Sequence, residues 1–189
     1  MYDVERIDTM TDMKALVNAA NTVYGDKENT DKKYVLSDET IEYGDNKKYA
    51  FHRIKALKSF NCGDRFVKAG DLGGFVECEE NLSQDGNCWI FDNAMCFFGA
   101  SVRDDAMVYE DAKISGNSEV YNNAKVFGAA EVSGLAEVYD NAMVYCNAIV
   151  CGAEVHDDAR VYGNASIYNV EVVSSTCICG NASIHAKGR

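Results

Sequence analysis

From Gly86 onward the sequence repeats itself every six residues, and no other feature narrows the choice of fold so far. The successive units read FDNAMC, FFGASV, RDDAMV, YEDAKI, SGNSEV, YNNAKV, FGAAEV, SGLAEV, YDNAMV and YCNAIV. Self-similarity at a fixed short period means that each unit is one small structural element which buries its apolar side only by stacking on its neighbours. Every unit ends on an apolar residue, the series Ile90, Cys96, Val102, Val108, Ile114, Val120, Val126, Val132, Val138, Val144 and Val150. Two places earlier stands Ala, Ser or Cys. Alternate side chains of a strand share one face, so both series point inward together. Gly, Asn and Asp at the two preceding places supply corners, because they accept turn conformations that β-branched residues resist. One short strand and one corner, taken three times, close a triangular coil of eighteen residues.

The units Tyr109-Glu-Asp-Ala-Lys-Ile114, Tyr121-Asn-Asn-Ala-Lys-Val126 and Tyr139-Asp-Asn-Ala-Met-Val144 resemble the hexapeptide repeats of left-handed parallel β-helix proteins. The stretches Gly70-Asp-Leu-Gly-Gly-Phe-Val76 and Asn81 through Ala94 resemble the start of the array in a family of bacterial and phage proteins often labelled acetyltransferases. The likeness covers roughly residues 47 to 186 and matches the scaffold, not a catalytic group. It implies an all-β, left-handed parallel β-helix.

The phase slips twice, since Val155 follows Val150 and Val172 follows Ile167, each one residue short, before sixes resume to Ile178 and Ile184. The slips lie one coil apart and therefore tighten the same corner of successive coils. The inward series from Ile90 to Ile184 amounts to nearly six coils, a rod of about 30 Å at the usual strand spacing. Val76 and Leu82 begin a further coil, with two extra residues before Ile90.

The expected organisation is an N-terminal cap over residues 1–60, a lead-in segment over 61–85 and the β-helix over 86–189. In the cap, Met13, Leu16, Val17, Ala20 and Val23 recur at helical spacing, which predicts an amphipathic helix over 10–24. A β-hairpin is predicted over 33–58, turning around Gly44-Asp-Asn-Lys47. Such a cap covers backbone groups that an open coil end would leave unpaired.

No basic start leads into an apolar run and no eighteen consecutive residues are apolar, so neither a signal peptide nor a membrane span is expected. The eight cysteines mostly fill small or apolar places of the repeat and read as reduced thiols, which predicts a cytoplasmic protein. For a phage-encoded chain that means the host cytoplasm. Cys177-x-Cys179 lacks the two-residue gap of zinc motifs, so no metal site and no cofactor are expected. Residues 71 to 186 carry 18 acidic and four basic side chains, holding essentially all of the net charge of −12. Direct binding of nucleic acid is thereby disfavoured, because phosphate neutralisation needs Lys and Arg.

Once the phase is fixed, outward residues sort into ladders. Phe91, Tyr109, Phe127, Tyr145 and Tyr162 stack on one side, beside Trp89, Met107, Lys125, Met143 and Arg160, as an aromatic contact surface or as simple coil-stabilising stacks. Glu119, Glu137, Glu154 and Glu171 stack on a second side, and the neighbouring corner adds Asp104, Asp105, Asp140, Asp157 and Asp158. Like charges at about 5 Å repel by on the order of 1 kcal/mol per pair in water. Either the acidity keeps the rod soluble, or the carboxylates imitate a phosphate backbone. The third side carries Met95, Lys113, Glu131, Ile149 and Ser166 beside Phe97, Ser115, Ser133, Cys151 and Tyr168, and is the least distinctive.

Three functions are open. The reading favoured by the acidic ladder is a non-enzymatic, protein-binding inhibitor of a host nucleic-acid-binding defence factor, of anti-CRISPR or anti-restriction type, with no catalytic residue. The second is a hexapeptide-repeat acyltransferase-like enzyme. The resemblance implies a trimer with a catalytic histidine at a subunit boundary and commonly a loop leaving the coil. His52 falls in the hairpin and His185 near the chain end, which leaves His156, in Val155-His-Asp-Asp158, as the candidate base; no unit from Gly86 to Ile184 is expanded into a loop. The third is a structural scaffold that forms homo-oligomers through the aromatic side.

Overall fold

In the computed structural model of the chain, residues 31–44 and 49–186 are described, and the helix expected over 10–24 lies outside them. The chain divides into two compact units, Met1–Lys32 and Lys33–Arg189, and almost everything described belongs to the second. That unit is a parallel β-solenoid of about six turns, with three sheets around one core.

From Trp89 on, the turns contribute strands of two or three residues to each sheet. The first sheet runs through Met95–Cys96, Lys113–Ile114, Glu131–Ser133, Ile149–Cys151, Ser166–Tyr168 and Ser183–His185. The second runs from Ser101–Val102 to Glu171–Val172, and the third from Trp89–Ile90 to Cys177–Ile178. From Trp89 on, parallel partners stand eighteen residues apart until the two short corners, and seventeen apart across them, as in Ile114↔Val132 and Val150↔Ile167. All inward residues from Ile90 to Ile167 are fully buried, and the Ala series from Ala94 to Ala165 fills the space beside them. Ser118 is the polar member of that series, and its hydroxyl donates to the Ser115 carbonyl at 2.8 Å.

The corner between the second and third sheets does not use glycine for most of its length. Asp104, Asn122, Asp140, Asp157 and Ser174 hold left-handed backbone there, with φ between 55° and 60°. Each such residue costs about 1 kcal/mol, and Asn and Asp lower that cost by bonding locally. Their side chains form a ladder: Asn122 Nδ2 donates to Asp140 at 2.9 Å, Asn122 N to Asp104 at 3.2 Å, and Ser174 N to Asp157 at 2.9 Å.

The solenoid begins earlier than Gly86. Strand β5 (Leu72–Val76), the fifth in the described chain, pairs in parallel with Met95–Cys96, and Leu82 bridges Val102, so Val76, Leu82 and Ile90 are three sides of one turn. The two extra residues before Ile90 belong to a loop closed by Lys33. Lys33 is only 5 % exposed, and its ammonium donates to the carbonyls of Asp85, Gly86 and Cys88 at 3.1 to 3.4 Å. Strands β1 (Tyr34–Tyr43) and β2 (Tyr49–Ala56) form an antiparallel hairpin on β5, within the span expected for one. Tyr43 and Phe51 pack on Phe97, which buries Met95 and Phe97 at the start of the third ladder.

A second small hairpin, β3 (Phe60–Cys62) and β4 (Arg65–Val67), covers the start of the aromatic ladder. Phe60 meets the Trp89 ring edge-on at 5.5 Å, and the Arg65 guanidinium lies 4.2 Å from the Tyr109 ring and 4.9 Å from that of Phe91. Gly63 crosses so close to Met107 that an added Cβ would stand 2.5 Å from its sulfur, and its φ of +56° suits glycine best. Trp89 and Met107 are consequently 1 % exposed, where the repeat phase alone places them on the surface. Among the described residues no helix is long and apolar enough to cross a membrane.

Candidate functional site

The second sheet carries the densest chemistry. Glu119, Glu137, Glu154 and Glu171 stand in direct register on successive turns, in the column their spacing predicts. Two residues further along each strand lies a second outward column: Arg103, Tyr121, Tyr139 and His156. These four stack face to face, with Arg103 3.7 Å over the Tyr121 ring, Tyr121 on Tyr139 at 4.9 Å and Tyr139 on His156 at 4.7 Å. The same period that aligns the carboxylates aligns the rings.

The two columns are cross-linked, each bond running from one turn to the next. Arg103 Nη2 binds Glu119 at 2.9 Å, the Tyr121 hydroxyl donates to Glu137 at 2.9 Å, and His156 Nε2 lies 3.0 Å from Glu171 Oε1. This relieves much of the repulsion that bare carboxylates at strand spacing would suffer. Burial, with the hydrogen bond to Glu137, raises the Tyr121 phenol well above its ordinary value. The Glu154 carboxylate has no hydrogen bond or ion pair among the described residues and is exposed to solvent.

His156 ends this column of stacked side chains. Its side chain is 15 % exposed, and its ring orientation is set by the Tyr139 stack on one side and Glu171 at its edge. A carboxylate only accepts, so in the neutral ring a hydrogen on Nε2 serves the nearer carboxylate, Glu171, and leaves a lone pair on Nδ1, while the protonated ring also presents a hydrogen toward Asp157. Nδ1 faces the corner, 3.5 Å from Asp157 Oδ1. The hydrogen bond to Glu171 raises the imidazole above its ordinary value; burial opposes this and Asp157 reinforces it.

The corner beside Nδ1 is an open trough of about 580 Å³ lined by Asp104, Asp105, Asp140, Asp157 and Asp158 together with Asn122, Asn123 and Asn141. All five expected corner aspartates are thus brought together. Several already act as ladder acceptors, since Asp105 takes a bond from Asn87 at 2.9 Å and Asp158 one from Asn141 at 3.3 Å. The corner is a hydrogen-bonded groove as well as an acidic one. His156, Asp140 and Asp157 on one side of the ring, and His156, Glu154 and Glu171 on the other, each bring three ligand-type atoms within 4.8 Å of one another.

The aromatic residues stack along the third sheet, with Tyr109–Phe127, Phe127–Tyr145 and Tyr145–Tyr162 centroids 4.6 to 4.9 Å apart and nearly parallel. Phe91 and Tyr109 lie against the Arg65 guanidinium, which leaves Phe127, Tyr145 and Tyr162 as the more open half. His52 sits in the hairpin, its Nδ1 3.4 Å from the Ser37 carbonyl, and His185 stacks on Tyr168 in the last described turn. All eight cysteines are unpaired thiols.

No family model matches the chain. A curated protein of Escherichia coli (strain K12), named uncharacterized acetyltransferase YdcK, is 39% identical to it over 77 residues. Those residues are 38% of this chain and 22% of the relative, so the chain spans about a fifth of that protein's length. A relative named as an acetyltransferase, together with the β-solenoid, agrees with the resemblance carried by the hexads. It also corrects one expectation. The acidic ladder pointed to a protein without enzymatic activity, whereas the similarity points to an acyltransferase-like enzyme. Carboxylate spacing alone misled, because half of that ladder's chemistry lies in the neighbouring Arg-Tyr-Tyr-His column.

Proposed function

We propose that this chain is an acyltransferase-like protein, built on a left-handed β-helix with the hairpins between Tyr34 and Val67 at its start, which moves an acyl group from a thioester donor to an amine or hydroxyl acceptor. The observation that carries this reading is His156: an imidazole fixed by a ring stack, with one nitrogen held by the Glu171 carboxylate and the other 3.5 Å from Asp157, a residue of the acidic groove. That is the geometry of an oriented general base. In the proposed reaction Nδ1 takes the proton of the acceptor as its nitrogen or oxygen attacks the thioester carbonyl. The C–S bond then breaks and the thiolate leaves with the proton from the imidazolium. Glu171 holds the ring and stabilises its charged form, as the third member of a triad does. The similarity to YdcK supports the reaction class, and eight unpaired thiols suit a reducing cytoplasm, where thioester donors occur.

The test uses acetyl-CoA with the full chain. Binding is followed by thermal shift, and transfer to a panel of amines and sugars by chromatography of released CoA. His156→Ala should abolish transfer, and Glu171→Gln should lower it by about 10²-fold or more. Transfer at an undiminished rate in His156→Ala would remove this reading.

A second reading is favoured by the register of the four glutamates and needs no loss of catalysis. In it the acidic side docks a basic protein surface, such as the groove of a nucleic-acid-binding host factor. Salt-sensitive binding that competes with DNA and is lost in a Glu119→Gln, Glu137→Gln, Glu154→Gln triple variant would bear it out. Competition unchanged by those substitutions would end it.

A further inference from the structure

We infer that Glu154, His156 and Glu171 form a divalent transition-metal site that switches the proposed base off; the regulatory half of this inference rests on the acyltransferase reading, and the binding half does not. Three observations converge on it. Glu154 and Glu171 are direct register partners on successive turns, and the imidazole between them is of a different ligand class. His156 is held in place by its stack on Tyr139 before any ligand arrives, so its ordering is not a cost of binding. Along the column Glu119 has Arg103 and Glu137 has the Tyr121 hydroxyl, but Glu154 has no such bond among the described residues. Its exposed carboxylate is therefore free to turn toward the imidazole.

The donor set selects the metal class. One imidazole nitrogen and two carboxylates suit zinc or a neighbouring first-row ion and leave a position for water, whereas a site for magnesium would be all oxygen. The ligand atoms lie within 4.8 Å of one another, and Nε2 to Glu171 is already 3.0 Å. A tetrahedral ion with bonds near 2.0–2.1 Å needs ligands about 3.4 Å apart, so the exposed Glu154 carboxylate has only to rotate inward. Sequence spacing hides the site, because one of its ligands comes from the next turn.

The consequence for His156 follows from its tautomers. A metal takes the lone pair of Nε2, so the hydrogen that sits there moves to Nδ1, the nitrogen that faces the groove. Acceptor of a proton and ligand of a metal are thus alternative states of one ring.

The experiment uses the full chain after chelator treatment, with Cys146, Cys177 and Cys179 changed to Ser so that exposed thiols take no metal. Zinc chloride is titrated by calorimetry, with magnesium chloride as the control, and imidazole nitrogens are followed by NMR. The expected result is one zinc ion per chain, a metal-shifted Nε2 and a protonated Nδ1 on His156, and about 10- to 100-fold weaker binding in Glu154→Gln and in His156→Gln. Zinc should also inhibit acetyl transfer in the parent but not in Glu154→Gln. Affinity unchanged by Glu154→Gln, or weakened by Asp140→Asn instead, would overturn the inference. If zinc binds as described while His156→Ala still transfers acetyl groups, the metal site stands and the catalytic reading falls.

Discussion

At the scale of single residues, the protonation of His156 couples folding to pH. Its folded-state value is raised above the ordinary 6.5, first by the hydrogen bond to Glu171. A raised value means the folded chain binds the proton more tightly than the unfolded one, so the stabilisation is complete below about pH 6 and is lost as pH rises through the folded value. The metal-free protein should therefore melt above His156→Gln at pH 6, and the gap should be smaller at pH 9, since it narrows as pH rises through the folded value. Thermal melts at the two pH values check this, and a gap that widens at high pH would contradict the Glu171 contact. This contact is legible in the sequence only after the phase is known, since it joins positions fifteen apart across a shortened corner. Lys33 is not legible at all: nothing in its local sequence says that its ammonium caps three carbonyls more than fifty residues away.

At the scale of elements, periodicity decides wherever a side chain repeats and fails wherever the chain leaves the repeat. The inward series, the three columns and the tight corner all follow from six-residue arithmetic, because each strand has the same neighbours above and below. The segment from Phe60 to Val67 obeys no such period. Its fold over Trp89 and Met107 depends on tertiary contacts that only a three-dimensional arrangement supplies. A signal for it does exist, since Cys62-Gly63-Asp64-Arg65 is a turn between residues of strand type. Gly73 and Gly74 show the same limit. No period marks them, yet they stand where β5 passes close against the next turn. A Cβ on Gly74 would stand 2.3 Å from the Ala94 carbonyl oxygen and 2.5 Å from Ile90 Cγ2, neither of which is free to yield. Gly74→Ala should cost more than about 2 kcal/mol in chemical denaturation. A cost within error of zero would mean that β5 does not pack there.

At the scale of the whole solenoid, each turn is held by its two neighbours, so stability is set locally by how completely a turn is covered. Coverage is not uniform. Inward residues are fully buried from Ile90 to Ile167, then Val172 is 4 %, Ile178 9 % and Ile184 37 % exposed. The hairpins at the other end add contacts to the first turns and leave the last described one with a neighbour on one side only. Local opening free energies should fall in that order, because fewer apolar contacts and more solvent-facing backbone bonds hold the late strands. The functional column spans the gradient, with Glu119 and Glu137 in well-covered turns and Glu171 in a late one. Hydrogen exchange should accordingly be slowest for amides of Val126, Val132 and Val144, faster near Val172, and fastest for Ile178 and Ile184. Saturating zinc should slow exchange around Val155 and Val172 selectively, since its ligands tie those two turns together, and leave Val126 unchanged. Slowing spread evenly over every turn would instead mean that the ion acts on the molecule as a whole.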